Sequence, residues 1–417
     1  MMPLPTVVTL DQLSETIHRL ILGNPMSKGR KLLGIEYERL LLDRSTRESA
    51  PLEFCRDLLA RLCKALDADP MVDGDVLKGL RAGEFEMSME PGGQLEVACA
   101  PVSKLAEAES IMQRVDAVIE SQLDGTPYEL ACLGHAPVTP VEDLGLLPRE
   151  RYQIMDRLMP ARGPLTRNMM RATAGFQLTY DIESDADAAS KLALLYRLSP
   201  VFVALAANSR EVAGKDSGYA SYRHLVWWET DFMRSGVPEG CLDPATAIDG
   251  YIRYAREATV LFRNDPERAG GLLADGQHTL EEVCTAGELT EADVDLHLTS
   301  LFPFVRLRNY IEVRCLDSVE WSLARSMLAL ISGIVYCPAA SAKAMKLSDE
   351  LLPASAEELR DLHLATAKDA LDATAPSGRT LRELARELVG FANATLGGAT
   401  CDWAEPSDLD EVRARLG

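Results

Sequence analysis

The chain has 417 residues, of which 47% are hydrophobic and 26% are charged. These proportions are typical of a globular protein with a large buried core. Because 64 acidic side chains outweigh 43 basic ones, the formal net charge is −21, and a surface of this sign repels nucleic acids and anionic lipids. We therefore expect neither a nucleic-acid partner nor a membrane partner.

The N-terminal segment does not have the basic start and apolar run of a secretion signal. The longest apolar stretches, Pro200–Ala207 and Met327–Val335, are shorter than the roughly 20 residues that span a bilayer. The sequence therefore predicts a cytoplasmic protein.

Strand and helix periodicities follow one another along the chain. Apolar residues recur at every second position in strands and at intervals of three and four in helices. In chain order, the pattern predicts a strand at Leu33–Leu41, two strands within Glu84–Val97, a helix at Val102–Leu123, a strand at Gly175–Asp181, a helix at Ala188–Ala207, a strand segment at Val305–Arg314, and helices at Val319–Tyr336, Ser355–Ala373 and Thr380–Thr395. Pro200 predicts a break or kink in its helix. Scattered strands among many helices favour an α+β fold with an antiparallel or mixed sheet.

Acidic residues occupy one face of three predicted strand segments. In GIEYERLLL, Glu36 and Glu38 share a face, because side chains alternate along a strand. In EFEMSMEPGGQLEVACAP, the Pro-Gly-Gly turn could bring Glu90 close to Glu96. In NYIEVRCLD, Glu312 lies opposite the apolar residues. A solvated sheet surface would explain any one of these faces alone.

Three such segments together suggest a shared cavity. Carboxylates that line one cavity form an all-oxygen site suited to Mg²⁺ and to the phosphates of a nucleotide. The sequence has no GxGxxG and no Walker A motif, so a nucleotide site would need another architecture of this kind.

Arginines are concentrated in three segments despite the excess of acids. One segment runs from Arg149 to Arg171, a second contains Arg223 and Arg234, and a third includes Arg306, Arg308 and Arg314. Guanidinium groups bind carboxylates and phosphates through paired hydrogen bonds. Surface ion pairing is the alternative. Arg223 and Arg314 are the better candidates for a site, because aromatic or β-branched residues flank them.

Single histidines and cysteines give weaker signals. His135, His224 and His297 have no second histidine at metal-binding spacing, so we predict that they are structural. The nine cysteines are scattered without a CxxC pair, which favours buried free thiols, Cys99 among them. A regulatory disulfide is the alternative, although the spacing does not point to one.

These segments together resemble one known family, the plant-type glutamate–cysteine ligases, which also occur in many bacteria. The matching segments occur in the family's order between Gly34 and Asp317. They are GIEYER, SMEPGGQLEVACAP, RYQIMDRLMP, NMMRATAGFQLTYD, LSPVFVALAANS, SGYASYRHLVWWETDFMRSG and HLTSLFPFVRLRNYIEVRCLD. The combination of EPGGQ-x-E with LFP-x-VRL and Y-x-E-x-R is specific, whereas one motif alone would be weak.

The resemblance implies a glutamine synthetase-like catalytic fold. In it, a curved, mainly antiparallel sheet forms a funnel-shaped active site with helices packed outside. We interpret residues 1–417 as a single catalytic domain. Helical periodicity predicts that its C-terminal part, 318–417, is mostly helical. Mg²⁺, with Mn²⁺ as an alternative, would bind with the ATP phosphates at Glu36, Glu38, Glu90, Glu96 and Glu312. Substrate and ATP contacts would come from Arg151, Thr173, Gln177, Arg223, Arg234 and Arg314. The catalytic set would be Arg223, Arg314 and Glu312.

The implied reaction joins the glutamate γ-carboxylate to the amine of cysteine through a γ-glutamyl phosphate, with ATP as co-substrate, as in glutathione-type thiol biosynthesis. The implied assembly is a monomer or a homodimer. The chain departs from the family pattern at Ala98-Cys99, at Thr179 and after Arg314, which leaves the acceptor amine less secure than the donor. A ligase with another amine acceptor and a non-catalytic glutamate- or nucleotide-binding protein are the alternatives.

Overall fold

The computed structural model describes residues 7–24, 31–265, 267–268, 271–398 and 401–417. The helices are α1 Leu10–Leu22, α2 Leu52–Ala65, α3 Leu105–Leu123, α4 Glu150–Leu158, α5 Thr166–Ala172, α6 Asp185–Ala206, α7 Tyr222–Trp228, α8 Ala247–Glu257, α9 Leu280–Thr285, α10 Glu291–Leu298, α11 Trp321–Tyr336, α12 Pro338–Ser348, α13 Ala356–Asp369, α14 Leu381–Asn393 and α15 Asp410–Leu416. The strands are β1 Leu33–Asp43, β2 Asp69–Asp73, β3 Val76–Ala82, β4 Phe85–Met89, β5 Leu95–Val102, β6 Tyr128–Ala131, β7 Gly175–Tyr180, β8 Glu211–Val212, β9 Lys215–Asp216, β10 Ser235–Gly236, β11 Phe262–Asn264, β12 Leu272–Ala274, β13 Phe302–Pro303, β14 Val305–Leu307 and β15 Ile311–Asp317.

A nine-stranded sheet organises the molecule. Its strands follow the order β14-β15-β7-β1-β5-β4-β3-β2, and β6 pairs with the far end of β1. Every pairing in this sheet is antiparallel, and the sheet is open rather than closed into a barrel. The α+β class with an antiparallel sheet is therefore confirmed.

The two faces of the central strands differ as the alternation predicts. Tyr37, Met87, Val97, Phe176 and Val313 are fully buried on one face, where α3 contacts β5, α6 contacts β15 and α11 contacts β7. Burial of each large apolar side chain stabilises the fold by roughly 1.5–3 kcal/mol. The helices thus cover one face and leave the other face for a site.

The buried helix α6 runs through Pro200 without a break. Of the two predicted alternatives, the break is wrong and the kink stays a prediction. Proline cannot donate to the carbonyl four residues earlier, which belongs to Tyr196. The hydroxyl of Ser199 donates to that carbonyl at 2.8 Å instead. The helix is long and apolar enough to cross a bilayer, but 89% of its most apolar window is buried inside the protein.

The C-terminal part contains α11 to α15, and α14 packs against both α6 and α11. A disulfide joins Cys337, between α11 and α12, to Cys401. The expectation of free thiols is therefore wrong for this pair. It is confirmed for five buried cysteines, which are Cys55, Cys99, Cys241, Cys284 and Cys315.

Candidate functional site

The exposed side of the central strands lines a cavity of about 280 Å³. Pairing between strands places its first acids side by side. Glu36 on β1 lies between Gln177 of β7 and Ala98 of β5. Glu38, two residues further along β1, lies directly opposite Glu96 of β5. Acids from separate parts of the sequence therefore meet on one surface.

Hydrogen bonds orient two of these acids. The carboxylate of Glu38 accepts from the backbone N–H of Gly175 at 2.5 Å and from the Gln177 amide at 3.0 Å. The carboxylate of Glu96 accepts from the Ser88 hydroxyl at 2.9 Å. The predicted substrate residue Gln177 thus lines the cavity and also fixes a carboxylate.

Glu90 reaches the cavity from the turn between β4 and β5. Gln94 fixes that turn, because its side chain accepts from the N–H of Gly92 at 2.8 Å and donates to the carbonyl of Thr173 at 2.8 Å. A Cβ at Gly92 would lie 2.0 Å from the carbonyl oxygen of Arg171, so only glycine allows this close approach. Thr173 lines the cavity, and its backbone anchors the turn.

We expect the substitution Gly92→Ala to lower the free energy of unfolding by about 1–3 kcal/mol, because the added methyl group overpacks a buried backbone contact. Urea unfolding measures the change. Gly390→Ala is the matched control, since a Cβ at Gly390 meets no atom within 4 Å. This control should be neutral or stabilising. Equal stability of Gly92→Ala and the natural protein would contradict the close approach.

Glu312 lies at the end of the acidic row and is held by two arginines. Arg306 donates to both of its carboxylate oxygens, at 2.7 and 3.1 Å, and Arg314 donates to one of them. Glu312 has no exposed surface, whereas both arginines line the cavity. The structure thus places Glu312 where it orients two guanidinium groups.

Two further arginines, on and next to α4, line the cavity. Arg149 donates to Asp73 at 2.8 Å and to the Tyr152 hydroxyl at 2.8 Å. Arg151, a predicted substrate residue, donates to the hydroxyl and carbonyl of Thr299 at 2.9 and 2.7 Å. These contacts hold positive charge beside Glu90.

Arg223 and Arg234 do not line the cavity, although the sequence assigned both to substrate binding. The Arg223 side chain is 2% exposed and stacks on Trp227 at 5.5 Å. Its charge lies close enough to Glu38 to oppose the rise in the pKa of that carboxyl. Arg223 therefore lies outside the cavity and close to one of its carboxylates, that of Glu38.

Arg234 is fully buried elsewhere. Its guanidinium pairs with Asp231 at 2.8 Å and donates to the carbonyls of Ser300 and Thr259. The guanidinium N–H groups of Arg234 are therefore bonded to protein atoms and stabilise the fold. A substrate role for Arg234 would require this buried network to break, so the structure places Arg234 outside the candidate site.

Burial and mutual repulsion control the charges of the acids. Burial, followed by the charge of Glu312, raises the pKa of Glu36 to about 7. Burial, followed by the charge of Glu38, raises the pKa of Glu90 to about 7. Burial and then Glu90 raise the pKa of Glu96 well above its usual range. Burial would also raise the pKa of Glu312, but Arg306 and Arg314 lower it below the usual value.

Comparison with known proteins identifies the family. A family model described as glutamate–cysteine ligase family 2 matches residues 32–398. The chain belongs to this family. The resemblance inferred from the motifs is thereby confirmed, and the match extends past Asp317 into the C-terminal helices.

Two curated plant relatives of this family member are about equally similar to it. The chloroplastic glutamate–cysteine ligase of Brassica juncea is 31% identical over 346 residues, which cover 80% of this chain and 66% of the relative. The chloroplastic glutamate–cysteine ligase of Arabidopsis thaliana is 30% identical over 343 residues, which cover 80% of this chain and 65% of the relative. The chain thus matches just under two thirds of the length of these relatives.

A solved structure shares the fold of this family member. The crystal structure of the glutamate–cysteine ligase of Francisella tularensis in complex with AMP superposes with a TM-score of 0.54 at 11% sequence identity. The match covers 93% of this chain and 81% of that chain. The likeness supports the predicted ligase fold built on an antiparallel sheet.

The cavity of this family member fits a magnesium ion that shares its ligands with a substrate. Mg²⁺ usually takes one or two carboxylates together with waters and substrate phosphates. In the part of the chain that the structure describes, no set of three or more His, Cys, Asp or Glu side chains is arranged to hold a metal ion alone. Glu36, Glu38, Glu90 and Glu96 nevertheless share one cavity. A cation there would offset the burial and the mutual repulsion that raise their pKa values.

The three histidines weighed in the sequence have structural partners. His135 contacts the carbonyl of Ala136 at 2.8 Å, and His297 contacts the carbonyl of Ala255 at 2.9 Å. His224 shares a hydrogen bond of 3.0 Å with His363. All three are buried outside the cavity, in agreement with the structural interpretation.

The sequence reasoning did not assign Arg149, Tyr152 and Arg306 to the site. Arg306 carried a usable signal, because it alternates with the buried Val305 and Leu307 on β14. Its partner could not be read from the sequence, since the pairing of Arg306 with Glu312 depends on the register of β14 and β15. Arg149 and Tyr152 reach the cavity only through the packing of α4.

Proposed function

We propose that this protein uses ATP to join the side-chain carboxylate of glutamate to the amine of cysteine, which yields γ-glutamylcysteine. The observation that carries the proposal is one cavity in which carboxylates of neighbouring strands face four arginines. Membership of the family and the names of the plant relatives support the same reaction. The AMP in the Francisella tularensis complex supports the use of a nucleotide.

The first step activates a carboxylate, which is a poor electrophile at neutral pH. An oxygen of the glutamate γ-carboxylate attacks the γ-phosphorus of ATP, and the bond from that phosphorus to ADP breaks. The product is a γ-glutamyl phosphate. Arg306 and Arg314 lie near Glu36 and would bind the transferring phosphoryl group, whose negative charge guanidinium groups stabilise.

Arg149 and Arg151 lie near Glu90 and line the same cavity. Their side chains are held in place by Asp73 and Thr299, and a planar guanidinium matches the two oxygens of a carboxylate. We assign them to the carboxylates of the amino-acid substrates. Thr173 and Gln177 would complete this wall.

Magnesium, or manganese in its place, would be held by Glu36, Glu38, Glu90 and Glu96 together with the phosphates of ATP. Such an ion supplies positive charge that offsets the charge of the phosphates. The side chains that line the cavity would orient ATP, glutamate and cysteine around this ion.

The second step forms the amide bond. The neutral amine of cysteine attacks the acyl carbon of the γ-glutamyl phosphate, phosphate leaves, and the nitrogen loses a proton. No protein nucleophile is required. This agrees with the cavity wall, which contains neither cysteine nor serine among the residues that the structure describes.

Purified protein incubated with Mg-ATP, glutamate and a panel of amines tests the proposal by phosphate release and product mass. We expect release with cysteine, and a product of one glutamate and one cysteine. Release only with another amine would establish a ligase with a different acceptor. No release with any amine would favour a non-catalytic binding protein. The cytoplasmic location and the monomeric or homodimeric state remain predictions.

A further inference from the structure

A cavity of about 420 Å³ lies apart from the cavity that carries the acids, here called the substrate cavity. In the described part of the chain the two share no lining residue. Arginines from three separate segments line the cavity, which we call the arginine pocket. They are Arg47 in the turn after β1, Arg210 just before β8, and Arg415 in the last turn of α15. The volume falls within the range of small-ligand pockets, roughly 300–1,000 Å³.

Positive charge is concentrated in the arginine pocket, although the chain as a whole has a net charge of −21. Among the described residues, Glu211 is the single acid that lines it. Each of the three guanidinium groups has five N–H donors and makes one hydrogen bond within the described structure. The acceptors are a carboxylate oxygen of Glu211 for Arg47, a carboxylate oxygen of Asp216 for Arg210, and the carbonyl of Ala207 for Arg415. Most of the donors therefore remain for a ligand.

The backbone at Arg47 indicates that its side chain is needed. Arg47 has a φ of 61°, a left-handed conformation that disfavours residues with a side chain and that glycine adopts freely. The turn is well fixed. The Asp43 carboxylate accepts from the N–H groups of Ser45 and Thr46 at 2.9 Å, and the N–H of Arg47 donates to the carbonyl of Asp43 at 2.8 Å. An unfavourable residue in a fixed turn points to a use for its side chain.

Two further polar side chains of the pocket wall already have partners. The Asn208 amide donates to the carbonyls of Cys132 at 2.6 Å and Ser318 at 3.0 Å, and the Ser209 hydroxyl donates to Asp317 at 2.7 Å. No Phe, Tyr or Trp is among the described residues that line the pocket, so a nucleotide base would find no aromatic surface there. Recognition of a ligand therefore depends on the arginines.

We propose that the arginine pocket is a second anion site, which binds a compact polyanion that carries phosphate or carboxylate groups. Guanidinium groups bind both kinds of group through two parallel hydrogen bonds, and three of them around one cavity favour a ligand with several negative charges. Two sources have this chemistry, which are inorganic phosphate with its short polymers and the di- or tricarboxylic acids. The inference does not depend on the proposed ligase reaction.

The pocket wall also holds a buried network that leads to the substrate cavity. The backbone N–H of Asn208 and the hydroxyl of Ser209 both donate to Asp317, at 2.8 and 2.7 Å. Burial lowers the pKa of Arg223, and the charges of Asp317 and then Glu38 oppose this change, so Arg223 lies close to both carboxylates. A ligand that displaced the pocket wall would act on Glu38 through Arg223. The position of the pocket is therefore that of a regulatory site rather than a catalytic one.

Calorimetry with inorganic phosphate, pyrophosphate and citrate tests the site. A buffer with about 0.15 M NaCl screens exposed charges, and we expect the natural protein to bind at least one probe under these conditions. Arg415→Gln should weaken the binding of that probe about tenfold or more, because it removes charge-assisted hydrogen bonds. Arg47→Gly should weaken it similarly without lowering the melting temperature of the anion-free protein, since glycine tolerates the backbone conformation.

Arg413→Gln is the matched control for the loss of one positive charge. Arg413 lies on the same helix as Arg415, but it pairs with Asp410 and does not line the pocket. Its substitution should leave the affinity for the probe unchanged. Arg151→Gln controls for the substrate cavity, whose arginines also attract anions. It should leave binding to the arginine pocket intact.

Each outcome of the titrations decides something about the pocket. Tighter binding of phosphate or pyrophosphate would identify a phosphate ligand, tighter binding of citrate would identify an organic acid, and either result supports the site. A natural protein that binds no probe would overturn it. Equal losses in Arg413→Gln and Arg415→Gln would show an adventitious ion only, and loss of all binding in Arg151→Gln alone would place the anion in the substrate cavity. Both results would also overturn the inference.

Discussion

The substitution Glu36→Gln should reduce the rate of ligation on the order of 10²–10³-fold, as expected for loss of one preorganised charged group at a phosphoryl-transfer centre. Glu36 lines the cavity and lies near Arg306 and Arg314. Glutamine keeps the shape of the side chain and removes the negative charge that a metal ion requires. Phosphate release measures the rate, and electron paramagnetic resonance of Mn²⁺ with ATP measures the metal.

The same substitution should stabilise the metal-free protein. The pKa of Glu36 is raised to about 7 from the ordinary value of 4.5, so the folded state binds a proton more tightly than the unfolded state. The natural protein therefore loses stability as the pH rises from about 4.5 through 7, by about 3 kcal/mol for this group. In urea unfolding with EDTA, Glu36→Gln should gain most of this energy at pH 8 and little at pH 4.5.

Glu86→Gln is the control for both measurements. Glu86 comes from the same acidic segment as Glu90, but its carboxylate is exposed and pairs with Arg81 at 2.6 Å. Rate and stability should stay close to those of the natural protein, because exposed ion pairs contribute little. If Glu36→Gln retained full activity, Glu36 would not be a metal ligand.

Much of the central sheet could be predicted from local patterns. Alternation in GIEYE specified which residues of β1 face the site, and Pro-Gly-Gly specified the turn between β4 and β5. The burial of Tyr37 and Val97 and the exposure of the acids to the cavity follow that alternation. A period of two leaves no freedom about faces once a strand is given.

Other strands could not be predicted because their patterns are weak. β2 is mostly exposed and contains Pro70, and β6 has four half-buried residues without alternation. Their pairing with β3 and with the end of β1 depends on contacts between distant segments. Propensity within one short segment carries little information about such contacts.

The site residues also differ in whether a local pattern or a contact between distant segments determines their place. The acids were predictable because several lie on strands with clear faces. Arg234 lies outside the cavity, and its sequence proximity to Arg223 does not show that Asp231 pairs with it. The distinction between a glutamate that faces a cation and one that pairs with arginines depends on strand register, which the sequence does not display. Glu312 is the clearest example, because the sequence suggested a metal ligand and the structure pairs it with two arginines.

Glu312→Gln should destabilise the protein by about 3–5 kcal/mol, because removal of one partner leaves buried charges uncompensated. Arg306 and Arg314 both donate to this carboxylate, which has no exposed surface. The pH dependence has the opposite sign to that of Glu36. Since the arginines hold the pKa of Glu312 below its ordinary value, its stabilisation is present at neutral pH and is lost as the pH falls through the folded-state pKa.

A double-substitution cycle separates this pairing from a general loss of packing. The variant that combines Glu312→Gln with Arg306→Gln should lose less stability than the sum of the two single variants, because the second change removes one of the unpaired charges. Urea unfolding at pH 7 gives the three free energies. Additive losses, or a Glu312→Gln variant as stable as the natural protein, would show that Glu312 is not the anchor of these arginines. Glu312 would then be free to bind the metal ion itself, as the family resemblance implied.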